Sequence, residues 1–217
     1  MIITQPDRIL LLRQVEALAP RLSGVLLDVG SGDGRRYDGA APKVMKRIRL
    51  EIDRKFEPDL VGSAEAIPLP DSSVDSVLCT QVLEHVPHPW KALSEMHRVL
   101  RPGGLALVTV PQLNELHEEP HDYFRYTSFG LRKLCEEAGF EVVVLDQRGK
   151  YHSGLAQMRI RRWIDTLHPY QHPWAMLLLG PISSIYTRYA IWRDRHDASA
   201  AVAKHALGWA IVLEKRH

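Results

Sequence analysis

Residues Val25 to Arg35, VLLDVGSGDGR, decide how the rest of the chain reads. Val25, Leu26 and Leu27 form a short apolar run, as expected of a parallel strand covered on both faces. Asp28 ends the run, and glycines follow at 30, 32 and 34. Glycine turns with positive φ and carries no Cβ to hold a ligand off the backbone. A buried strand, a glycine turn and the start of a helix make a nucleotide-type site at the carboxyl end of a strand. The spacing narrows the cofactor. A dinucleotide fingerprint, G-x-G-x-x-G, requires its third glycine at position 35, and Arg35 stands there.

Upstream, Asp7 to Leu18 reads as an amphipathic helix with Ile9, Leu10, Leu12, Val15 and Leu18 on its apolar side, stopped by Pro20 and Gly24. Downstream, Lys43 to Ile52 reads as a second strand with basic residues interleaved and Glu51 and Asp53 at its end. Asp59 to Gly62 is a short third strand and Ser73 to Cys79 a fourth. A helix runs from Pro89 to Leu100, and Arg101-Pro102-Gly103-Gly104 stops it before a fifth strand, Leu105 to Val110. A helix over Ser128 to Ala138, capped by Ser128, leads to a sixth strand, Phe140 to Leu145. Ala206 to Leu213 reads as the seventh. Strands alternating with helices predict a doubly wound, mainly parallel α/β sheet.

Four segments carry a family resemblance. D-x-G-x-G-x-G, from Asp28 to Gly34, resembles the first motif of the class I S-adenosylmethionine (SAM) methyltransferases, of the methyltransferase type 11 kind. Gly62 to Asp71 resembles the family's adenine-lining segment. Val82-Leu83-Glu84-His85-Val86 is similar to its VLEHV, and Arg98 to Gly104, RVLRPGG, to the landmark before strand five. They occur in order across residues 25–145. The resemblance implies a Rossmann-like seven-stranded sheet with the last strand antiparallel, and SAM as cofactor. It implies cofactor contacts from Asp28, Gly30, Ser31, Gly32 and Gly34, with the glycine turn against the methionine part. At the end of strand two it implies a carboxylate accepting from both ribose hydroxyls. We read that as Glu51, with Ile52 beside it and Asp53 in reserve, because a carboxylate is acceptor-only and takes two donors. On the adenine side it implies Ser63 and Ala64, with Ser63 standing where the family usually has aspartate. Gln81 opens the segment that runs past the sulfonium.

The loop after strand five, Pro111 to Thr127, is the next place to expect chemistry. It contains His117-Glu118-Glu119-Pro120-His121, formally the zinc-protease H-E-x-x-H. Two such histidines share a metal only from one helix face, and Pro120 breaks that turn at a cost of about 3 kcal/mol; no metal is expected. We read a lid over the acceptor, with His117, His121, Asp122, Tyr123 and Arg125 as candidates, or else a loop held by its own Arg125–Asp122 and histidine contacts. His85, His117 and His121 are the candidate catalytic bases, since imidazole titrates near neutrality. At His85 a structural role competes with the catalytic one.

The chain has 217 residues, 45% of them hydrophobic, enough for one domain over 1–217 with a helical insertion at about 150–203. Two cysteines and no signal-peptide pattern suit a reducing compartment, so a cytoplasmic protein is expected. Net charge is +2, but residues 1–147 carry −5 and residues 148–217 carry +7, along with four of the five tryptophans. Within the insertion, Leu155 to Thr166 reads as a helix. Trp174 to Trp192 reads as a packed pair broken at Gly180-Pro181, and Asp197 to Lys204 as a short helix. A solvated basic face competes with peripheral membrane contact through 150–203. Nucleic acid is disfavoured by the acidic core. The expected reaction is methyl transfer to a small-molecule, glycan or lipid-linked acceptor. The rivals are a non-catalytic SAM-binding or regulatory protein on the same scaffold and, less well supported, a nucleotide-dependent oxidoreductase.

Overall fold

A computed structural model of the chain describes residues 3–34, 37 and 39–216; Arg35 lies outside them. Helix α1 (Pro6–Leu18) leads into β1 (Ser23–Val29), then β2 (Lys43–Glu51), β3 (Leu60–Val61) and β4 (Val74–Thr80). Helix α2 (Pro89–Val99), β5 (Leu100–Pro111), α3 (Ser128–Glu137) and β6 (Phe140–Arg148) follow. Then come α4 (Tyr151–Leu167), α5 (Pro173–His196), α6 (Ala200–Ala203) and β7 (Gly208–Lys215). The seven strands form one sheet in the order β3-β2-β1-β4-β5-β7-β6, with β7 antiparallel. Strands β1 to β5 pair in parallel. The strand order reverses between β1 and β4, which opens a crevice at their carboxyl ends.

The chain separates into two compact units. One comprises Gln14–Gln112, Leu116–Asp146 and Trp209–His217, and holds most of the sheet. Its core is built from Leu27, Val29, Val77, Cys79 and Val108 of the strands, closed by Leu93 and Met96 of α2 and Leu131 of α3. Cys79 and Cys135 are free and buried, and burial pushes the Cys135 thiol up to about 12. The other unit comprises Met1–Arg13, Leu113–Glu115 and Gln147–Gly208. In it α4 and α5 pack through Ile160, Trp163, Ile164, Met176, Leu179 and Tyr186. The fully buried Arg148 side chain is paired with Asp7 at 2.8 Å.

Three local expectations are corrected, and a fourth is not reached. The helix start expected after the glycine turn falls on residues 35, 36 and 38, which lie outside the described ones. Gly30, Gly32 and Gly34 all have positive φ. Strand β5 begins at Leu100 rather than Leu105. Leu100 pairs with Val74, residues 101–104 loop out, and pairing resumes at Ser76 with Leu105. Arg101 holds the loop by pairing with Asp75 at 2.6 Å, and the other Asp75 oxygen accepts the Val25 N–H at 2.7 Å. The cap of α3 is Thr127, whose hydroxyl accepts from the Gly130 N–H at 3.1 Å. Finally, residues 174–192 form one helix, not two, with Pro181 inside it. Gly180, lacking a Cβ, removes the usual clash with a following proline ring. The Ser183 hydroxyl donates to the Gly180 carbonyl at 2.9 Å, and burial of Ala175, Leu179, Ser183 and Ala190 supports the uninterrupted helix.

Candidate functional site

Residue 30 fixes the crevice. Its N–H donates to the Leu50 carbonyl at 2.9 Å. It lies at φ +66, and a Cβ there would sit 2.3 Å from Val82 Cγ2. The chain leaving β1 therefore passes the segment leaving β4 so closely that only glycine fits. Gly32, at φ +53, differs: a Cβ there would meet nothing within 4 Å among the described residues. Its Cα faces open space, and its N–H donates to Glu51 Oε2 at 2.9 Å.

The carboxylates divide the work. Asp28 is buried, and Arg47 reaches it from β2 with two bonds to Oδ2 at 2.6 and 3.1 Å. Arg47 also donates to the Gly34 carbonyl at 2.7 Å, tying the two ends of the turn to one guanidinium. Burial, the larger influence, raises the Asp28 carboxyl above its ordinary value, and Arg47 offsets this only in part. Glu51 ends β2. Besides Gly32 it accepts from the Ile52 N–H at 2.8 Å and, more weakly, the Asp53 N–H at 3.4 Å. Asp53 is drawn elsewhere: it accepts the Lys55 N–H at 3.0 Å and pairs with the Lys55 ammonium. That hydrogen-bonded pairing lowers its carboxyl. Ile52 is 71% exposed beside Glu51.

Beyond β3, Ser63 and Ala64 are half-buried, and the Ser63 hydroxyl accepts from the Glu65 N–H at 3.1 Å. Beyond β4, Gln81 lies at φ +53. For a residue with a side chain that conformation costs about 1–2 kcal/mol. Its N–H donates to the Thr109 carbonyl at 3.0 Å, and its side-chain amide reaches the Thr109 hydroxyl at 3.2 Å. Asp28, Gly30, Ser31, Gly32, Gly34, Glu51, Ile52, Ser63, Ala64 and Gln81 thus all lie in or just beyond the carboxyl ends of β1 to β4.

The histidines separate. The loop carrying His117 and His121 folds back onto the exit of β4, where the Tyr123 and Phe124 N–H groups donate to the Glu84 carbonyl at 2.8 and 3.3 Å. The rings of His85 and His117 meet edge to face with centroids 4.8 Å apart. His121 stays out of that pair. Its carbonyl lies 2.6 Å from His85 Nδ1, and its own Nδ1 contacts the Tyr123 hydroxyl at 3.0 Å. Asp122 holds the loop through two 2.7 Å bonds from Arg125 and accepts the His117 N–H at 3.0 Å. The Arg125 bonds hold its carboxyl well below the usual carboxylate range. The ligand-atom group that holds His117 also holds Glu84 and His85 and does not include His121.

Sequence reasoning missed Arg47 and Glu84. A buried aspartate needs a cation, and β2 is unusually basic for a strand, which was the available signal for Arg47. Glu84 is fully buried beside His85, and its only signal was membership of the VLEHV segment.

The Methyltransferase domain family model matches residues 27–108, from within β1 to within β5. A probable S-adenosylmethionine-dependent methyltransferase of Mycolicibacterium smegmatis is 32% identical over 196 residues, covering 79% of this chain and 76% of the relative. An uncharacterized methyltransferase of Mycobacterium leprae is 38% identical over a shorter 103 residues, 42% of this chain and 38% of the relative. Among solved structures, the 1,6-didemethyltoxoflavin-N1-methyltransferase of Burkholderia thailandensis, with S-adenosylhomocysteine bound, superposes at a TM-score of 0.58. It is 13% identical, over 95% of this chain and 79% of that one, and so speaks to the fold alone. With the glycine turn, the strand order and the 196-residue match together, the chain belongs to the S-adenosylmethionine-dependent methyltransferases.

Proposed function

We propose that the chain transfers the methyl group of SAM to a small-molecule, glycan or lipid-linked acceptor (the class EC 2.1.1.-), using the crevice between β1 and β4. The observation that carries this is the meeting of an open glycine surface at Gly32 with the Glu51 carboxylate, 2.9 Å apart. The amino-acid end of the cofactor lies on residues 30–34 and its ribose on Glu51. The exposed Ile52 offers an apolar face to a flat base, with Ser63 and Ala64 beyond. Commitment of Asp53 to Lys55 supports Glu51 as the sugar ligand. When bound, SAM supplies a methyl already activated by its positive sulfur. The chain's own work is then to position the acceptor and to keep water out.

Glu51→Ala should weaken SAM binding about 10- to 100-fold, the value of one or two charge-assisted hydrogen bonds. Calorimetry on the purified variant measures this, and unchanged affinity would move the ribose contact off Glu51. Binding of SAM with no labelled methyl transferred to any fraction of cell extract would favour the non-catalytic reading.

The exposed face of α5 supports a lipid-linked acceptor. At 100° per residue, Trp174, Leu178, Ile182, Ile185, Tyr189 and Trp192 share one side of the helix, and all are about half exposed or more. Arg188 and Arg195 lie along one edge of this face, both exposed. An apolar face edged by arginines suits an anionic lipid surface. No helix among the described residues is long and apolar enough to cross a membrane, so the helix would lie along the surface. The protein should co-float with phosphatidylserine-containing vesicles at low salt and not with phosphatidylcholine alone. A pair of changes, Trp174→Ser and Trp192→Ser, should abolish flotation. Absence of the wild type from the floated fraction would remove this part of the reading.

A further inference from the structure

We propose that Glu84, His85 and His117 form a binding site for one divalent transition-metal ion. Each offers a ligand atom, and the three atoms lie within 4.8 Å of one another. Around a tetrahedral zinc, neighbouring ligand atoms are separated by about 3.4 Å, so small side-chain rotations close the set on an ion. The residues come from two places: Glu84 and His85 from the exit of β4, His117 from the loop after β5. The backbone bonds from Tyr123 and Phe124 to the Glu84 carbonyl bring them together. This is why a search for ligands in one continuous string finds only the broken H-E-x-x-H and expects no metal.

The surroundings of the His85 imidazole have the form that metal-bound histidine takes. A ligating histidine usually donates its second ring nitrogen to a carbonyl or carboxylate, which fixes the tautomer and aims the first. His85 Nδ1 lies 2.6 Å from the His121 carbonyl, so it carries the proton and Nε2 is left as a lone-pair donor. His117 Nδ1 lies between Asp122 Oδ2 at 3.3 Å and Arg125 Nη2 at 3.5 Å, and Arg125 holds that carboxylate with two bonds, so the ring is kept in place. Burial completes the picture. Glu84 is fully buried, while the His85 and His117 side chains are 17% and 27% exposed, so an ion can enter yet is held against a dry wall. Glu118, whose carboxylate stands 4.0 Å from His85 Nε2 on the open side, can swing in as a fourth ligand. Two imidazole nitrogens and a carboxylate suit Zn²⁺, Fe²⁺ or Mn²⁺, whereas Mg²⁺ and Ca²⁺ prefer all-oxygen sets.

The test uses the untagged full chain, stripped with chelator and titrated calorimetrically with ZnCl₂, MnCl₂ or MgCl₂ in the absence of SAM. One equivalent of Zn²⁺ should bind saturably and Mg²⁺ should not. His85→Ala and His117→Ala should each weaken Zn²⁺ at least about 10-fold, and Asp122→Asn about 10-fold through His117. Circular dichroism melts establish that the variants are folded. If they are not, the wild type decides: added Co²⁺ should give the intense visible absorption of a low-coordinate nitrogen and oxygen site. No saturable Zn²⁺ binding, binding unchanged in both folded histidine variants, or only the weak spectrum of six-coordinate Co²⁺ would overturn the proposal. Because SAM is left out, failure of the methyl-transfer reading and failure of this one are separate results.

Discussion

Gly32→Val should lower SAM affinity at least about 100-fold, which corresponds to about 2.7 kcal/mol of binding free energy, while leaving the chain folded. The argument uses the contrast between two glycines of the same turn. At Gly30 a Cβ collides with Val82 at 2.3 Å, so a side chain there damages the protein itself. At Gly32 a Cβ meets nothing within 4 Å among the described residues. Substitution there costs only the left-handed backbone, about 1–2 kcal/mol, and its branched side chain projects into the space assigned to the cofactor. Thermal melts should show a modest loss for Gly32→Val and a larger one for Gly30→Val, and calorimetry should show SAM binding abolished in the first. A Gly32→Val protein that binds SAM within about threefold of wild type would falsify the placement of the cofactor on this turn.

The second large effect is on stability. Arg47→Met should cost about 3 kcal/mol at neutral pH. It removes the partner of a carboxylate whose side chain is only 4% exposed, and breaking a buried pair costs about 3–5 kcal/mol. The lower end applies because Arg47 itself is 22% exposed. The pH dependence has a definite sign. The Asp28 carboxyl is already raised in the folded protein, so the folded state holds that proton more tightly than the unfolded chain. Stability is then lost as pH rises above the ordinary aspartate value. Without Arg47 the raising is greater, so the variant's deficit should grow from pH 4 to pH 7. Urea unfolding at the two values measures it. Adding Asp28→Asn should recover part of the loss, since the two positions are coupled. A deficit below about 1 kcal/mol at pH 7 would show that the pair contributes little.

The parts of this protein that were legible in its sequence are those whose cause is local. A glycine turn after a buried strand, a proline at a helix start and an acidic residue at a strand end act within a few positions, and the turn and Glu51 stand where such signals put them. What escaped depends on register or on return of the chain. Arg47 lies opposite Leu26 in the β1–β2 ladder, and Arg49 is the residue opposite Asp28. The buried pair is therefore a diagonal one that no spacing rule picks out. His117 reaches His85 across 32 positions because a loop folds back on the exit of β4. Gly180-Pro181 is a local stop signal that was overruled, since the buried side of α5 runs straight through it.

The valence of Glu51 has a consequence for how a ligand arrives. A carboxylate has about four lone-pair sites, and among the described residues three are taken by the N–H groups of Gly32, Ile52 and Asp53. On the proposed placement of the ribose, two hydroxyls on Glu51 displace at least one amide, most cheaply that of Asp53 at 3.4 Å. If they displace that of Gly32 instead, the turn loses its anchor to β2 at the moment of occupancy. Docking of the sugar and slackening of the glycine turn then become a single exchange of donors at the same oxygen.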